Sequence, residues 1–259
     1  MEMLKLGVLL TKLAYKKDKR IKQELEANGL KLVAISNVDN IHSPFNNEGV
    51  DNLRYFVADD ERTNTRYYSI RGSNGTFHCW LSNLLGYRVS RDYGKIHTGF
   101  NQEALSLYPD ITKYKDNTKK QIGFGFSKGS ALIQILAKDL ELDYAVGIGS
   151  AFFASREYAR NMEKGKTKYI NCFTSLDVVS LFTRMLFTPV GDTYYINKRK
   201  KIVKNPTLIR KLSDKFINLV LKRIQGKSAA AIIRLHSLDN YIDIFKVNHR
   251  KGWVEGDDS

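Results

Sequence analysis

Lys120-Gln121-Ile122-Gly123-Phe124-Gly125-Phe126-Ser127-Lys128-Gly129-Ser130-Ala131-Leu132-Ile133 is the stretch that decides the fold. Lys120 to Gly125 reads as a strand, and Ser130 to Leu140 as a helix rich in Ala, Leu and Ile. Between them, Gly125-Phe126-Ser127-Lys128-Gly129 is a Gly-x-Ser-x-Gly pentapeptide. With Gly and Ser each near ~7% of residues, a chain of 259 residues holds roughly 0.1 such pentapeptide by chance, so its place between strand and helix carries the argument. A tight strand-to-helix turn lifts a serine hydroxyl to the carboxyl edge of a sheet in strained backbone. It tolerates only very small residues two positions to either side, as Gly125 and Gly129 are. The same residues also fit an ordinary Gly-rich turn whose serine caps the helix.

The flanking sequence alternates strand and helix patterns. Leu30 to Ile35 reads as a short strand. Leu53 to Ala58 and Arg66 to Arg71 are apolar-rich runs around Asp59 to Asn64, which predicts a hairpin with a longer loop. Asn101 to Tyr114 looks helical; Tyr144 to Ile148 and Tyr169 to Phe173 are buried-type strands with a polar helix, Arg156 to Lys164, between them. This alternation predicts an α/β fold with a central, mostly parallel sheet flanked by helices. Upstream, Leu4 to Leu25 reads as one helix closed by Asn28-Gly29. With four prolines, no repeat and no low-complexity linker, residues 1–259 read as a single domain.

Charge and cysteine content narrow the setting. Lys and Arg number 42 against 27 Asp and Glu, a formal net of +15, which suggests an anionic partner. The two cysteines, Cys79 and Cys172, have neither metal-type spacing nor a disulfide framework, so a reduced compartment is the default. No run approaches the 18 or more apolar residues of a membrane-spanning helix. Leu6 to Leu10 is too short for a secretory core, and Lys12, Lys16 and Lys17 follow at once. The expectation is a cytoplasmic protein without signal peptide or transmembrane helix, at most a peripheral membrane one. No nucleic-acid motif occurs, which disfavours that partner.

A nucleophilic serine needs a base, and the base an orienting acid. Only His236 and His249 follow Ser127, and His249 lies in the polar tail Asn248-His249-Arg250-Lys251, which leaves His236 as the better candidate. Asp177 directly follows the strand Tyr169 to Phe173, where a carboxylate would face the same sheet edge as the elbow. It also fits a helix N-cap for Val178 to Met185.

At this point the residues resemble a known family, the class 3 lipases, α/β hydrolases that include the fungal triacylglycerol lipases. The resemblance spans roughly Leu53 to Tyr241, in seven pieces that keep the family's order. Tyr67 to Ser73 is similar to a strand ending in an Arg-Gly-Thr/Ser oxyanion segment, and Trp80-Leu81-Ser82-Asn83-Leu84 to the Trp-containing stretch after it. His97-Thr98-Gly99-Phe100 is similar to His-x-Gly-Phe, followed by the elbow and by Gly149-Ser150 in place of Gly-Ser-Pro. Asp177-Val178-Val179 resembles Asp-x-Val, and His236 to Tyr241 the terminal His…Tyr. The resemblance implies an α/β-hydrolase fold, Ser127 as nucleophile, His236 as general base and Asp177 as its acid. It further implies an oxyanion hole from the backbone N–H groups of Ser73 and Lys128, and no metal or organic cofactor. His97 reads as structural. The chain departs from the pattern at Phe126 (usually His), Lys128 (usually Leu), Ser130 (usually Gly) and Ala151 (usually Pro). A lysine at 128 leaves a side chain available to an anionic headgroup.

Two further stretches bear on the substrate. Residues 76–95 cover the region that holds a helical lid in class 3 lipases; Phe77, Trp80, Leu81, Leu84 and Leu85 recur at helical spacing, which fits a lid or a core helix equally. Residues 188–228 hold eleven Lys and Arg, among them Lys198, Arg199, Lys200, Lys201, Lys211, Lys215 and Lys222, against Asp192 and Asp214, a net of +9. They read as a basic helical insertion before the catalytic histidine. Asn205-Pro206 starts a helix whose apolar half holds Leu208, Leu212, Phe216 and Leu219. Such a helix suits an anionic membrane interface, or packs its apolar face on the sheet. The expected function is a serine carboxyl-ester hydrolase acting on acyl lipids, as a lipase or a phospholipase at an anionic surface. The competing reading is a catalytically silent module with the same fold that binds membranes or a partner.

Overall fold

The computed structural model describes residues 1–38, 53–73, 88–175, 177–197, 199–206 and 236–245. Its central sheet has eight strands in the order β1-β2-β3-β6-β7-β8-β9-β10. They are β1 (Lys31–Val38), β2 (Leu53–Asp60), β3 (Thr65–Ile70), β6 (Lys120–Phe126), β7 (Tyr144–Ile148), β8 (Lys168–Thr174), β9 (Asp192–Ile196) and β10 (Ile202–Lys204). From β3 to β9 every neighbouring pair is parallel, while β1–β2, β2–β3 and β9–β10 are antiparallel. This is the mostly parallel sheet that alternating strand and helix patterns demand.

The alternation of side chains along the strands builds two apolar layers. Phe56, Tyr67, Ile122, Phe124, Phe126, Val146 and Ile148 pack with α1 (Glu2–Leu13), α2 (Asp18–Ala27) and, near the end of the chain, the helix Leu238–Phe245. Tyr55, Val57, Tyr68, Ile70 and Ala145 pack on the opposite face with α3 (Thr98–Ile111), α4 (Lys128–Ile135) and α5 (Arg156–Met162). At the far end of the sheet from the elbow, Arg66 grips Asp59 through two hydrogen bonds of 2.7 Å, and Lys119 reaches the same carboxylate at 2.9 Å.

Four expectations are corrected. The first helix is two: the chain turns at Tyr15 to Lys17, because α1 lies over the middle strands while Ile21 and Leu25 of α2 pack toward edge strand β1. Asn28-Gly29 does end α2, with Gly29 at φ +69°. The helix after the elbow stops at Ile135 rather than Leu140; turns carry the chain through Glu141 (φ +50°) so that buried Leu140 and Leu142 lead directly into β7. The described part of 188–228 is not helical. Thr193-Tyr194-Tyr195-Ile196 favours strand, and β9 and β10 form a hairpin whose tip is tied by Asn197, its Oδ1 accepting from the N–H groups of Arg199 and Lys201. Residues 88–95 belong to a second small hairpin, β4 (Arg88–Arg91) and β5 (Gly94–His97), so they are not lid helix. Phe77, Trp80, Leu81, Leu84, Leu85, Lys198, Lys211, Lys215 and Lys222 lie outside the described residues. Among the described residues no helix is long and apolar enough to cross a membrane.

Candidate active site

The elbow is built by close approach of backbone to backbone. A Cβ on Gly125 would stand 2.1 Å from the Gly129 carbonyl oxygen, and one on Gly129 would stand 2.4 Å from the Ile70 carbonyl oxygen. No side chain fits at either place, so the two glycines let β6 turn into α4 against the end of β3. Ser127 occupies the apex at φ 53° and ψ −122°, a conformation costly for a residue with a Cβ. Its backbone N–H donates to Ile148 at 3.0 Å, and its carbonyl accepts from the Ser130 hydroxyl at 2.6 Å. The Ser127 side chain makes no helix-capping hydrogen bond, so the cap expected of it in an ordinary Gly-rich turn is not formed.

Asp177 and His236 meet although 59 residues separate them. The Asp177 carboxylate is fully buried; Oδ1 lies 2.8 Å from His236 Nδ1 and also accepts from the Ser180 N–H at 3.0 Å. Oδ2 accepts from the Tyr241 hydroxyl at 2.5 Å. Asp177 thus both caps α6 (Val178–Leu186) and contacts the histidine. Burial alone raises its proton affinity, but the charge of His236 and hydrogen bonds from His236, Ser180 and Tyr241 outweigh that, holding the carboxyl below its usual range.

The histidine is held on a second side by Phe126, the residue before Ser127. The two rings stack with centroids 4.9 Å apart at 22°. Gly149, at φ +54°, backs the whole group: a Cβ there would lie 2.7 Å from Phe126 Cε2, 3.1 Å from Asp177 Oδ2 and 3.3 Å from His236 Cε1. Gly72 plays a similar part in front. A Cβ on it would lie 2.7 Å from the Tyr15 hydroxyl, 2.8 Å from the Phe126 carbonyl oxygen and 3.1 Å from Ser127 Cβ. The segment Arg71-Gly72-Ser73 therefore runs beside Ser127, with Ser73 partly exposed.

Lys128 differs from expectation. Its side chain is buried and pairs with Glu103 of α3 at 3.2 Å, so it points into the helix layer and not toward a headgroup. His97 caps α3, accepting from the Phe100 N–H at 3.3 Å, as its structural reading requires. Motif reading marked Phe126 only as a departure from the family pattern, and it missed Tyr15 and Glu103. Tyr15 sits at the turn hidden inside an apparently continuous helical pattern, and nothing in local spacing marks it.

No protein-family model and no curated protein matches the chain. Solved structures do. The Rhizomucor miehei triacylglyceride lipase is similar at TM-score 0.60 and 16% identity, over 78% of this chain and 82% of that one. A triacylglycerol lipase from Penicillium expansum is similar at TM-score 0.56 and 16% identity, over 78% of this chain and 81% of that one. A third, a triacylglycerol lipase described as having a serine protease triad as its catalytic centre, is similar at TM-score 0.57 and 17% identity, over 78% and 82%. The chain has the α/β-hydrolase fold of these lipases.

Proposed function

We propose that this chain is a serine carboxyl-ester hydrolase of acyl lipids, with Ser127 as nucleophile, His236 as general base and Asp177 as orienting acid. The observation that carries the reading is the buried Asp177–His236 pair at 2.8 Å, stacked on the residue that precedes a strained elbow serine. With Nδ1 directed to Asp177, Nε2 is the nitrogen that takes the Ser127 proton as Oγ attacks the ester carbonyl. The resulting oxyanion is met by the backbone N–H groups of Ser73 and Lys128, a type of interaction worth roughly 3–4 kcal/mol per donor. Collapse expels the alcohol, which takes the proton from His236 and leaves an acyl-Ser127 ester. Water deprotonated by His236 then releases the fatty acid. The lipase fold and its neighbours' acyl-ester chemistry support this reaction class.

For the finer substrate we propose a phospholipid presented at an anionic surface. The exposed tip Arg199, Lys200 and Lys201 of the β9–β10 hairpin supports this, as does the basic sequence that follows it. Phe77, Trp80, Leu81, Leu84 and Leu85 would serve as an apolar lid over the acyl site. The test is fatty-acid release from vesicles of phosphatidylcholine with and without phosphatidylglycerol, and from triacylglycerol emulsion. Wild type is expected to release fatty acid, faster from the anionic vesicles, and Ser127→Ala to release none. No release from any of the three by a folded wild type sinks the hydrolase reading in favour of a silent binding module. Faster release from triacylglycerol sinks the phospholipid assignment alone.

A further inference from the structure

We infer that Phe126 is a positioning residue for His236, its ring serving as the platform that fixes the imidazole plane and stabilises the protonated base. The inference rests on the hydrolase reading above. Phe126 ends β6, so one backbone step carries both the proposed nucleophile and the surface on which the base lies. The stack is nearly parallel, 22° at 4.9 Å, and the platform is itself clamped. Tyr241 meets the Phe126 ring edge-on at 6.2 Å and 77°, and Tyr15 does so at 6.5 Å and 71°. Gly149 closes the remaining side, where a Cβ would press on both Phe126 and His236.

A platform matters because a hydrogen bond at Nδ1 fixes one end of the imidazole and not its plane. The Asp177 contact fixes where Nδ1 points, but rotation about that line swings Nε2 away from the serine. A stacked face removes the rotation, and tenfold effects from such small displacements are ordinary in catalysis. The ring also has a negative face, which attracts imidazolium more strongly than neutral imidazole. As general base His236 becomes imidazolium when it takes the serine proton, so this attraction grows from the substrate complex to the transition state. It therefore acts on kcat and leaves KM alone.

The test compares wild type with Phe126→Leu, Phe126→Met and Phe126→Tyr. It uses p-nitrophenyl butyrate kinetics, thermal unfolding and the proton resonance of the His236 Cε1–H, assigned by its loss in His236→Ala. The aliphatic variants are expected to lose about tenfold in kcat with KM within about twofold, and to move that resonance downfield as the ring above it disappears. Phe126→Tyr is expected to restore both. Wild-type kcat in a folded Phe126→Leu or Phe126→Met, or equal loss of kcat in Met and Tyr variants of equal stability, overturns the inference. If Phe126→Leu does not fold, the Met and Tyr pair decides. A wild type inert toward the ester would count against the hydrolase reading, while the resonance, which needs no turnover, still tests the stack: an unmoved signal in the folded Met variant overturns the platform.

Discussion

Asp177 holds a charge without exposed surface because three donors converge on it: His236 Nδ1, the Ser180 N–H and the Tyr241 hydroxyl. Removing the charge while keeping the shape separates its capping task from the catalytic one proposed for it. Asp177→Asn is expected to remain folded by circular dichroism but to lose on the order of 10⁴ in kcat on p-nitrophenyl butyrate, because an amide no longer orients the histidine or balances its charge. Activity within tenfold of wild type would remove Asp177 from the mechanism. Gly149 gives a second prediction at this scale. A methyl group there meets Phe126, Asp177 and His236 at 2.7, 3.1 and 3.3 Å in a left-handed conformation. Gly149→Ala is expected to cost about 1–3 kcal/mol in urea unfolding and to depress kcat, since the groups displaced are those of the site. Unchanged stability and turnover would show that this backing is not needed.

Among the elements, the elbow was the most legible in sequence, because its chemistry leaves no choice of residue: only glycine fits where Gly125 and Gly129 pass within contact of neighbouring carbonyls. Asp177 and His236 were legible by their order and by Asp177's place after a strand. The α1–α2 break was not, since Ala14 and Ile21 stay in phase for one helix; what separates them is which strands each half covers, a tertiary fact. The β9–β10 hairpin was missed for a related reason. Its lysines and arginines dominate the local pattern, while the pairing of Ile202–Lys204 with Ile196–Tyr194 puts β10 at the sheet edge beside β9, itself paired to β8, a tertiary fact. That hairpin presents its charges at an exposed tip, and each basic residue near an anionic surface is worth about 1 kcal/mol. Replacing Arg199, Lys200 and Lys201 together with Glu is expected to weaken sedimentation with phosphatidylglycerol vesicles at least tenfold, with p-nitrophenyl butyrate hydrolysis retained. Equal vesicle binding by the triple variant would remove the hairpin tip from the proposed membrane contact.

At the scale of the whole molecule, buried ionisable groups set the pH range of stability. Asp177 and Asp59 both titrate below their ordinary range; burial opposes this in each, but His236 with its hydrogen-bond partners, and Arg66 with Lys119, prevail. Their stabilisation is therefore present above the unfolded carboxylate value of about 3.9 and lost as pH falls through their lower folded values. On the alkaline side, burial raises the Cys172 thiol and the Tyr241 hydroxyl, next to Asp177. Here stability is complete below the unfolded values of about 8.5 and 10 and declines as pH rises beyond them. Urea midpoints are expected to form a plateau between about pH 5 and 8, and Cys172→Ala to flatten the fall that starts near 8.5. A wild-type midpoint constant from pH 3 to 10 would contradict the burial of these groups.

The proposed serine reactivity joins the three scales, because it needs the strained apex, the Asp177–His236 pair and a sheet that brings residues 127, 177 and 236 to one edge. The direct measurement is labelling with a fluorophosphonate probe followed by mass spectrometry of the adduct. Wild type is expected to take one equivalent on Ser127, with labelling abolished in Ser127→Ala and slowed at least a thousandfold in His236→Ala, on the order expected for loss of a triad base. A folded wild type that does not label, or that labels equally well after Ser127→Ala, would contradict the account.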